Sequence, residues 1–167
     1  MTPGGYNQNM QLFQTEDHVV ILNEMIHDAR IVSLDGRPHL PEELRQWTGS
    51  SRGHWEGDTL VVETTNFLRE TAFQSGLTGQ RLTLMERFRA VSPQVLLYEV
   101  TVDDSTVWTA PWTYQIPMQR NGNPLYEYAC HEGNYGLYNI LAGAQANPES
   151  NVLTAEQAAE ESARRAR

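Results

Sequence analysis

The chain has 167 residues, of which 40% are hydrophobic and 20% charged, and its formal net charge is −9. This balance is typical of one folded domain with its own core, and it excludes an intrinsically disordered chain. The acidic excess argues against binding to nucleic acid or an anionic membrane, and the absence of lysine excludes Schiff-base chemistry on a lysine side chain.

The first third of the chain predicts three short strands and a long loop. β-branched and aromatic residues alternate there with polar ones, which is the pattern of half-buried β-structure. We expect strands over residues 11–15, 19–25 and 30–34, then a proline-rich loop over residues 37–50.

A β-hairpin over residues 52–67 is the clearest local prediction. Glu56 and Gly57 form its predicted two-residue turn, because glycine accepts the positive φ that such a turn requires. This register places His54 opposite Thr59. One face of the hairpin then carries His54, Thr59, Val61, Glu63, Thr65 and Phe67, and the other carries Trp55, Leu60, Val62, Thr64 and Asn66.

The second half of the chain predicts further strands and then helices. We expect strands over residues 81–91, 95–103, 108–119 and 125–130. Pro111 and Pro117 indicate that the third of these is an edge strand, or that it bends or bulges. Apolar residues at helical spacing predict a helix over residues 135–146, capped by Asn134, and an alanine-rich helix follows over residues 155–166.

Together these elements predict a mainly β protein. We expect an antiparallel up-and-down meander of eight or nine strands, closed as a lipocalin-like, calycin-type barrel with one or two C-terminal helices. Residues 1–146 would form the barrel domain with a short closing helix. Residues 147–167 would form a linker and the alanine-rich helix.

Several common sites are missing from the sequence. Cys130 is the only cysteine, so no disulfide forms within this chain. The five histidines show no metal-ligand spacing, and no nucleotide-binding fingerprint is present, so we expect no cofactor and leave metal content open. No segment approaches the roughly 18 apolar residues of a membrane helix, and the N-terminus lacks the regions of a signal peptide.

His54 is the first candidate catalytic residue, because the predicted register places it on one face with Glu63. A histidine beside a carboxylate could act as a general base with its orienting partner; the alternative is a face that points to solvent. His131 and its neighbour Glu132 are the second candidate pair. Glu86, on the apolar face of its strand, is either a general acid or half of a structural ion pair.

Two further sets are candidates for ligand binding. Arg30, Arg37 and His39 flank the third predicted strand and could bind a carboxylate or phosphate at a barrel mouth; a salt-bridge network is the alternative. Late aromatic residues could form the wall of a pocket for a flat or apolar ligand, or simply part of the core. The aromatic set comprises Trp108, Trp112 and Tyr114.

Two long motifs, GHWEGDTLVVETTNF at residues 53–67 and YEYACHEGNY at residues 126–135, resemble a family of uncharacterised, exported bacterial β-rich proteins. Shorter matches extend the resemblance over residues 6–144. The resemblance implies no particular reaction, but it implies a periplasmic or extracellular location. It also suggests that this chain lacks an N-terminal part with a signal peptide and with a cysteine that could pair with Cys130.

The preferred function is binding of a small, partly apolar or aromatic molecule inside the barrel. The first alternative is a hydrolase or lyase that uses histidine and glutamate in acid–base chemistry, with or without a metal. The second is a structural or self-assembling extracellular subunit. We expect a small-molecule partner, no nucleic acid and no membrane insertion, and we leave a homo-oligomer open.

Overall fold

The computed structural model describes residues 9–71, 81–129, 132–133 and 135–146. The chain divides into two compact units, Met1–Tyr128 and Ala129–Arg167. The first unit contains eight strands: β1 Met10–Gln14, β2 His18–Asn23, β3 Ala29–Ser33, β4 Ser50–Glu56, β5 Thr59–Thr65, β6 Thr83–Ser92, β7 Val95–Asp103 and β8 Trp112–Gln119. A short 3-10 helix, Met25–His27, connects β2 to β3.

The eight strands form one sheet whose order follows the chain from β1 to β8. All neighbours are antiparallel except β3 and β4, which run parallel and share the single residue pair Ser33–Arg52. The sheet curls into a half-barrel, so the prediction of a mainly β, mostly antiparallel fold is confirmed.

The predicted meander is confirmed in its strand order, and it differs from the prediction at the β3–β4 connection. An up-and-down sheet needs short hairpin links, whereas sixteen residues, 34–49, separate β3 from β4. A connection of this length can carry the chain back along the sheet, so that β4 starts in the same direction as β3.

The predicted strand over residues 125–130 is wrong for the part of it that the structure describes. Residues 125–129 form no ladder. Their backbone donors find side-chain acceptors instead: the Tyr126 N–H donates to Glu24 Oε1 at 3.2 Å, and the Tyr128 N–H donates to His27 Nε2 at 2.8 Å. These two backbone N–H groups are therefore hydrogen-bonded although no neighbouring strand pairs with them.

The predicted hairpin is confirmed as β4 and β5, but its register is corrected. The turn residues are Gly57 and Asp58, with Gly57 at φ +63°. Glu56 therefore pairs with Thr59, and His54 pairs with Val61 in place of Thr59. Because the partners move by two positions, an even number, the side chains within β4 and β5 keep the faces that the sequence predicted. Phe67 is the exception: it was predicted on the His54 face, but it joins the core because Asn66, at φ +56°, interrupts the alternation.

Alternating residues of the strands build the core on the concave face of the sheet. In β6 the buried positions are Leu84, Glu86 and Phe88, and the residues between them are half-buried. The core also includes Val19, Ile21, Val32, Leu60, Val62, Phe67, Leu82, Tyr98, Val100 and Val102. Leu60 and Val62, on the apolar face of the hairpin, point into this core. On the opposite face His54 is exposed, whereas Thr59 and Val61 are buried.

β1 and β8 are the edges of the sheet, and no ladder joins them among the described residues. Pro117 lies in β8, in agreement with the predicted edge position. The two edges nevertheless approach each other at one end, where the Asn121 side chain donates to Asn9 Oδ1 at 3.3 Å.

The second unit contains α1, Gly136–Ala146, which confirms the first predicted helix. Its predicted cap, Asn134, and the second predicted helix lie outside the described residues. The predicted division at residue 146 also stays a prediction. Within the described chain, no helix is long and apolar enough to cross a membrane.

Candidate functional site

A buried ion pair lies in the core beneath the hairpin. Arg30 of β3 and Glu86 of β6 are only 4% and 2% exposed, and their side chains meet through two parallel contacts, Nη1 to Oε2 and Nη2 to Oε1, the latter at 2.8 Å. The Tyr98 hydroxyl donates to Glu86 Oε1 at 2.7 Å, and Arg30 Nη1 donates to Thr64 Oγ1 at 3.3 Å. The carboxylate therefore has both a charged partner and a neutral donor.

The charge states of this network follow from its burial and its partners. Burial by itself lowers the pKa of Arg30, but attraction to Glu86 and the hydrogen bond to it outweigh burial and raise the pKa. Burial raises the pKa of Tyr98, and the neighbouring Glu86 charge raises it further. Arg30 is thus a cation and Tyr98 a neutral phenol.

This network decides between the two roles that the sequence allowed for Glu86, a general acid or half of a structural ion pair. Glu86 forms the structural ion pair that was one reading of its apolar surroundings. Arg30 directs two guanidinium nitrogens to protein partners, so the structure gives no support to its predicted role as a ligand anchor. The pair joins residues 56 positions apart, which no local pattern could have matched.

The structure does not bring His54 and Glu63 together. The His54 side chain is 63% exposed on the outer face, and its Nε2 lies 3.2 Å from Glu56 Oε1. Glu56 also pairs with Arg87, and this hydrogen bond, followed by that of His54, lowers the pKa of Glu56. The Glu63 carboxylate instead lies 3.9 Å from Nε2 of His39. A catalytic role for His54 therefore gains nothing from its surroundings.

Two of the other candidate residues, Arg37 and Glu132, are exposed. Arg37 is exposed and pairs with Asp35, and its hydrogen bond lowers the pKa of that carboxyl; this is the surface salt bridge weighed above. Glu132 is exposed, while His131 lies outside the described residues. The predicted His131–Glu132 pair therefore stays a prediction.

The predicted aromatic set does form a cluster. The Trp108 and Trp112 rings meet edge to face with centroids 5.7 Å apart, and Trp112 stacks on Tyr114 at the same distance. Trp112 and Tyr114 lie on the concave face of β8, and all three rings pack against the core while remaining partly exposed. The cluster suits both alternatives, a pocket wall and a part of the core.

His39 lines the first of two recesses, which we call the cationic recess. It has a volume of about 1090 Å³ and lies where β5 ends and β6 begins. Its wall contains Leu40, Leu82 and His39 together with the charged side chains of Glu42, Arg45, Arg69 and Arg81. The sequence did not single out the three arginines, because they are spread over 37 positions and only the fold gathers them.

The second recess, which we call the seam groove, lies where β1 approaches β8. Its volume is about 740 Å³. Its apolar wall is formed by Met10, Leu12, Leu96, Ile116, Met118 and Leu125, and its lining also contains the amide-bearing residues Asn9, Gln11, Gln94, Gln119, Asn121 and Asn123. The sequence signalled the edge strands but not the groove, which depends on how far the sheet curls.

No group of three or more metal-ligating side chains occurs in the described residues. Comparison with known protein families, with characterised proteins and with solved structures gives no match.

Proposed function

We propose that the protein binds a small, partly apolar molecule in the seam groove. The observation that carries this proposal is the groove itself, which at about 740 Å³ falls within the roughly 300–1000 Å³ of small-molecule sites. Its apolar side chains continue the concave core face to the surface, where Met10, Ile116 and Met118 remain only half-buried.

The lining favours an uncharged ligand with a few hydrogen-bonding groups. Apolar side chains form the wall, so a ligand surface placed there gains about 25 cal/mol for each Å² removed from water. Six amide-bearing residues line the groove. The amides of Asn9 and Asn121 already bond to protein groups, whereas those of the other four can donate and accept hydrogen bonds, which suits hydroxyl, carbonyl or amide groups. Arg120 is the one charged side chain among the described lining residues.

The proposal is tested by titrating the protein with N-phenyl-1-naphthylamine, an uncharged aromatic probe whose emission rises in apolar surroundings. Leu12→Glu places a charge in the groove and should weaken binding about tenfold or more, because the carboxylate must be desolvated. Leu12 is already 40% exposed, so the fold tolerates the change.

Phe13→Glu is the matched control. Phe13 is the next residue of β1, is 45% exposed, and points to the opposite face. It should leave probe binding unchanged. Equal binding by the Leu12→Glu variant, or an equal loss in both variants, contradicts the proposal.

Self-assembly is the second candidate, because β1 and β8 both present unpaired edges within the described residues. A second copy that pairs with β1 would cover the groove and exclude the probe. Native mass spectrometry separates the two functions: a monomer that binds the probe supports ligand binding, whereas a stable dimer that excludes it supports assembly.

A further inference from the structure

We propose that the cationic recess is a second binding site, and that it takes a small molecule carrying several carboxylate or phosphate groups. This site is separate from the seam groove, shares no lining residue with it, and does not depend on the function proposed there.

The charge of the recess is opposite to that of the chain. Acidic residues outnumber arginines by 21 to 12 in the sequence, yet three arginines and His39 line this one recess, with Glu42 as the acid among the described lining residues. At physiological salt, charges more than about 8 Å away are largely screened. A bound anion therefore responds to the nearby arginines more than to the net charge of −9.

Arg69 and Arg81 provide the charge that is available to a ligand. Neither forms an ion pair or a side-chain hydrogen bond with any residue that the structure describes. Two arginines of the sheet differ in this respect, since Arg30 pairs with Glu86 and Arg87 pairs with Glu56. An arginine fork matches two oxygens of a carboxylate or phosphate, so two such forks suit a ligand with more than one anionic group.

The wall between these arginines is fixed in place before any ligand arrives. Asn66 adopts φ +56°, which is rare for a residue other than glycine, and its side-chain amide donates to Leu40 O at 2.7 Å and to Pro41 O at 2.9 Å. Arg45 Nη1 donates to Phe67 O at 3.1 Å. Asparagine adopts this conformation more readily than most residues, so it is the hydrogen bonds that hold this part of the wall in one conformation.

His39 and neutral side chains complete the recess. The His39 ring is held by a 2.9 Å hydrogen bond between Nδ1 and Ser50 O. The side chains of Thr65, Thr83 and Thr106 add hydroxyl groups to the wall, while Leu40 and Leu82 add apolar surface. The recess therefore offers cations, neutral donors and a small apolar area, which fits a multiply charged organic anion better than a simple inorganic ion.

Isothermal titration of the full chain with citrate and with pyrophosphate tests the proposal and distinguishes the two anionic groups. Binding of citrate alone assigns the site to carboxylates, and binding of pyrophosphate alone assigns it to phosphates. Triethyl citrate, which has the same skeleton without charge, should not bind. Failure of both anions to bind, or equal binding of the ester, overturns the proposal.

Two arginine substitutions then test whether the anion binds at this recess. Arg81→Gln should weaken anion binding about tenfold, because one charge-assisted hydrogen-bond pair is lost. Arg89→Gln is the matched control, since Arg89 is an exposed arginine farther along β6 that does not line the recess. An equal loss in both variants means that binding follows total charge, and this overturns the proposal. The Leu12→Glu variant of the seam groove should retain anion binding, so the two proposals can fail separately.

Discussion

The Arg30–Glu86 pair places two opposite charges where water cannot reach them. Removing such charges from water costs several kcal/mol for each ion, and their mutual attraction offsets this cost only when the contact is bidentate and the remaining lone pairs are satisfied. The contact is bidentate, Tyr98 donates to the carboxylate and Thr64 accepts from the guanidinium. The second condition is met only in part, because the buried Nε of Arg30 has no hydrogen-bond partner among the described residues. We therefore expect the pair to contribute more to the specificity of the packing between β3 and β6 than to the net free energy of unfolding.

The Arg30→Met variant should lose about 3–5 kcal/mol of unfolding free energy, because it leaves the Glu86 carboxylate buried without a cation. The double variant Arg30→Met/Glu86→Leu should recover much of this loss, since it removes both charges. Urea denaturation of the two variants and the parent measures the difference. A double variant no more stable than Arg30→Met would show that the loss comes from packing and not from an uncompensated charge.

Tyr98 should make the unfolding free energy of the protein fall at alkaline pH. The folded protein raises its pKa above the ordinary 10.0. The folded state therefore keeps the phenol proton that the unfolded chain releases, so the contribution is complete below about pH 10 and falls as the pH rises further. Tyr98→Phe removes this titration, and its unfolding free energy should decline less between pH 8 and about 11 than that of the parent.

The comparison uses urea denaturation at each pH, with Tyr126→Phe as the control. Tyr126 is 66% exposed, so its substitution should leave the alkaline decline unchanged. At pH 8 Tyr98→Phe should already be less stable by about 1–3 kcal/mol, because the hydrogen bond to a charged acceptor is lost. Parallel decline of the parent and the Tyr98→Phe variant would show that Tyr98 does not titrate with unfolding.

At the scale of elements, Gly53 lets β4 pass close to the segment that contains β3. A Cβ atom at this position would lie 2.8 Å from Val32 Cγ1 and 2.9 Å from Leu34 Cδ2, closer than real contacts allow. Gly53→Ala should therefore cost about 1–3 kcal/mol of unfolding free energy through overpacking. Gly122→Ala, with nothing within 4 Å of the added atom, should stay within about 0.5 kcal/mol.

Denaturation midpoints of the two glycine variants provide the measurement. Equal stability of Gly53→Ala and Gly122→Ala would mean that β3 and β4 can separate at no cost, contrary to the close contact described here.

The sequence predicted individual elements well because their signals are local. Alternating side chains located seven of the eight strands closely, and the glycine of the hairpin located its turn to within one residue. The start of β8 was misplaced: the predicted strand began at Trp108, whereas residues 104–111 form turns and irregular backbone. The parallel pairing of β3 and β4 was missed, because strand direction after a long loop depends on contacts between distant segments.

At the scale of the whole molecule, local patterns no longer suffice. His39 and Glu63 were both singled out, for different roles, and only the fold shows that they lie 3.9 Å apart. Arg69 and Arg81 carry no local signature, and their recess exists because β5 and β6 bring distant residues to one end of the sheet. The seam groove likewise depends on the curl of eight strands, which is a sum of small twists that no single segment specifies.

Only one residue pair joins β3 to β4. The sheet therefore has two parts, β1–β3 and β4–β8, which can open with different free energies. Within the described strands, the other ladders have at least five residue pairs, whereas Ser33–Arg52 stands alone. β1–β3 is therefore held to the rest of the sheet mainly by side-chain contacts, among them the buried Arg30–Glu86 pair. Its amide protons should exchange with solvent before those of β5–β7, and the Arg30–Glu86 pair sets a large part of the free energy of that opening. Because β1 also forms one wall of the seam groove, this partial opening would control how readily a guest molecule enters and leaves.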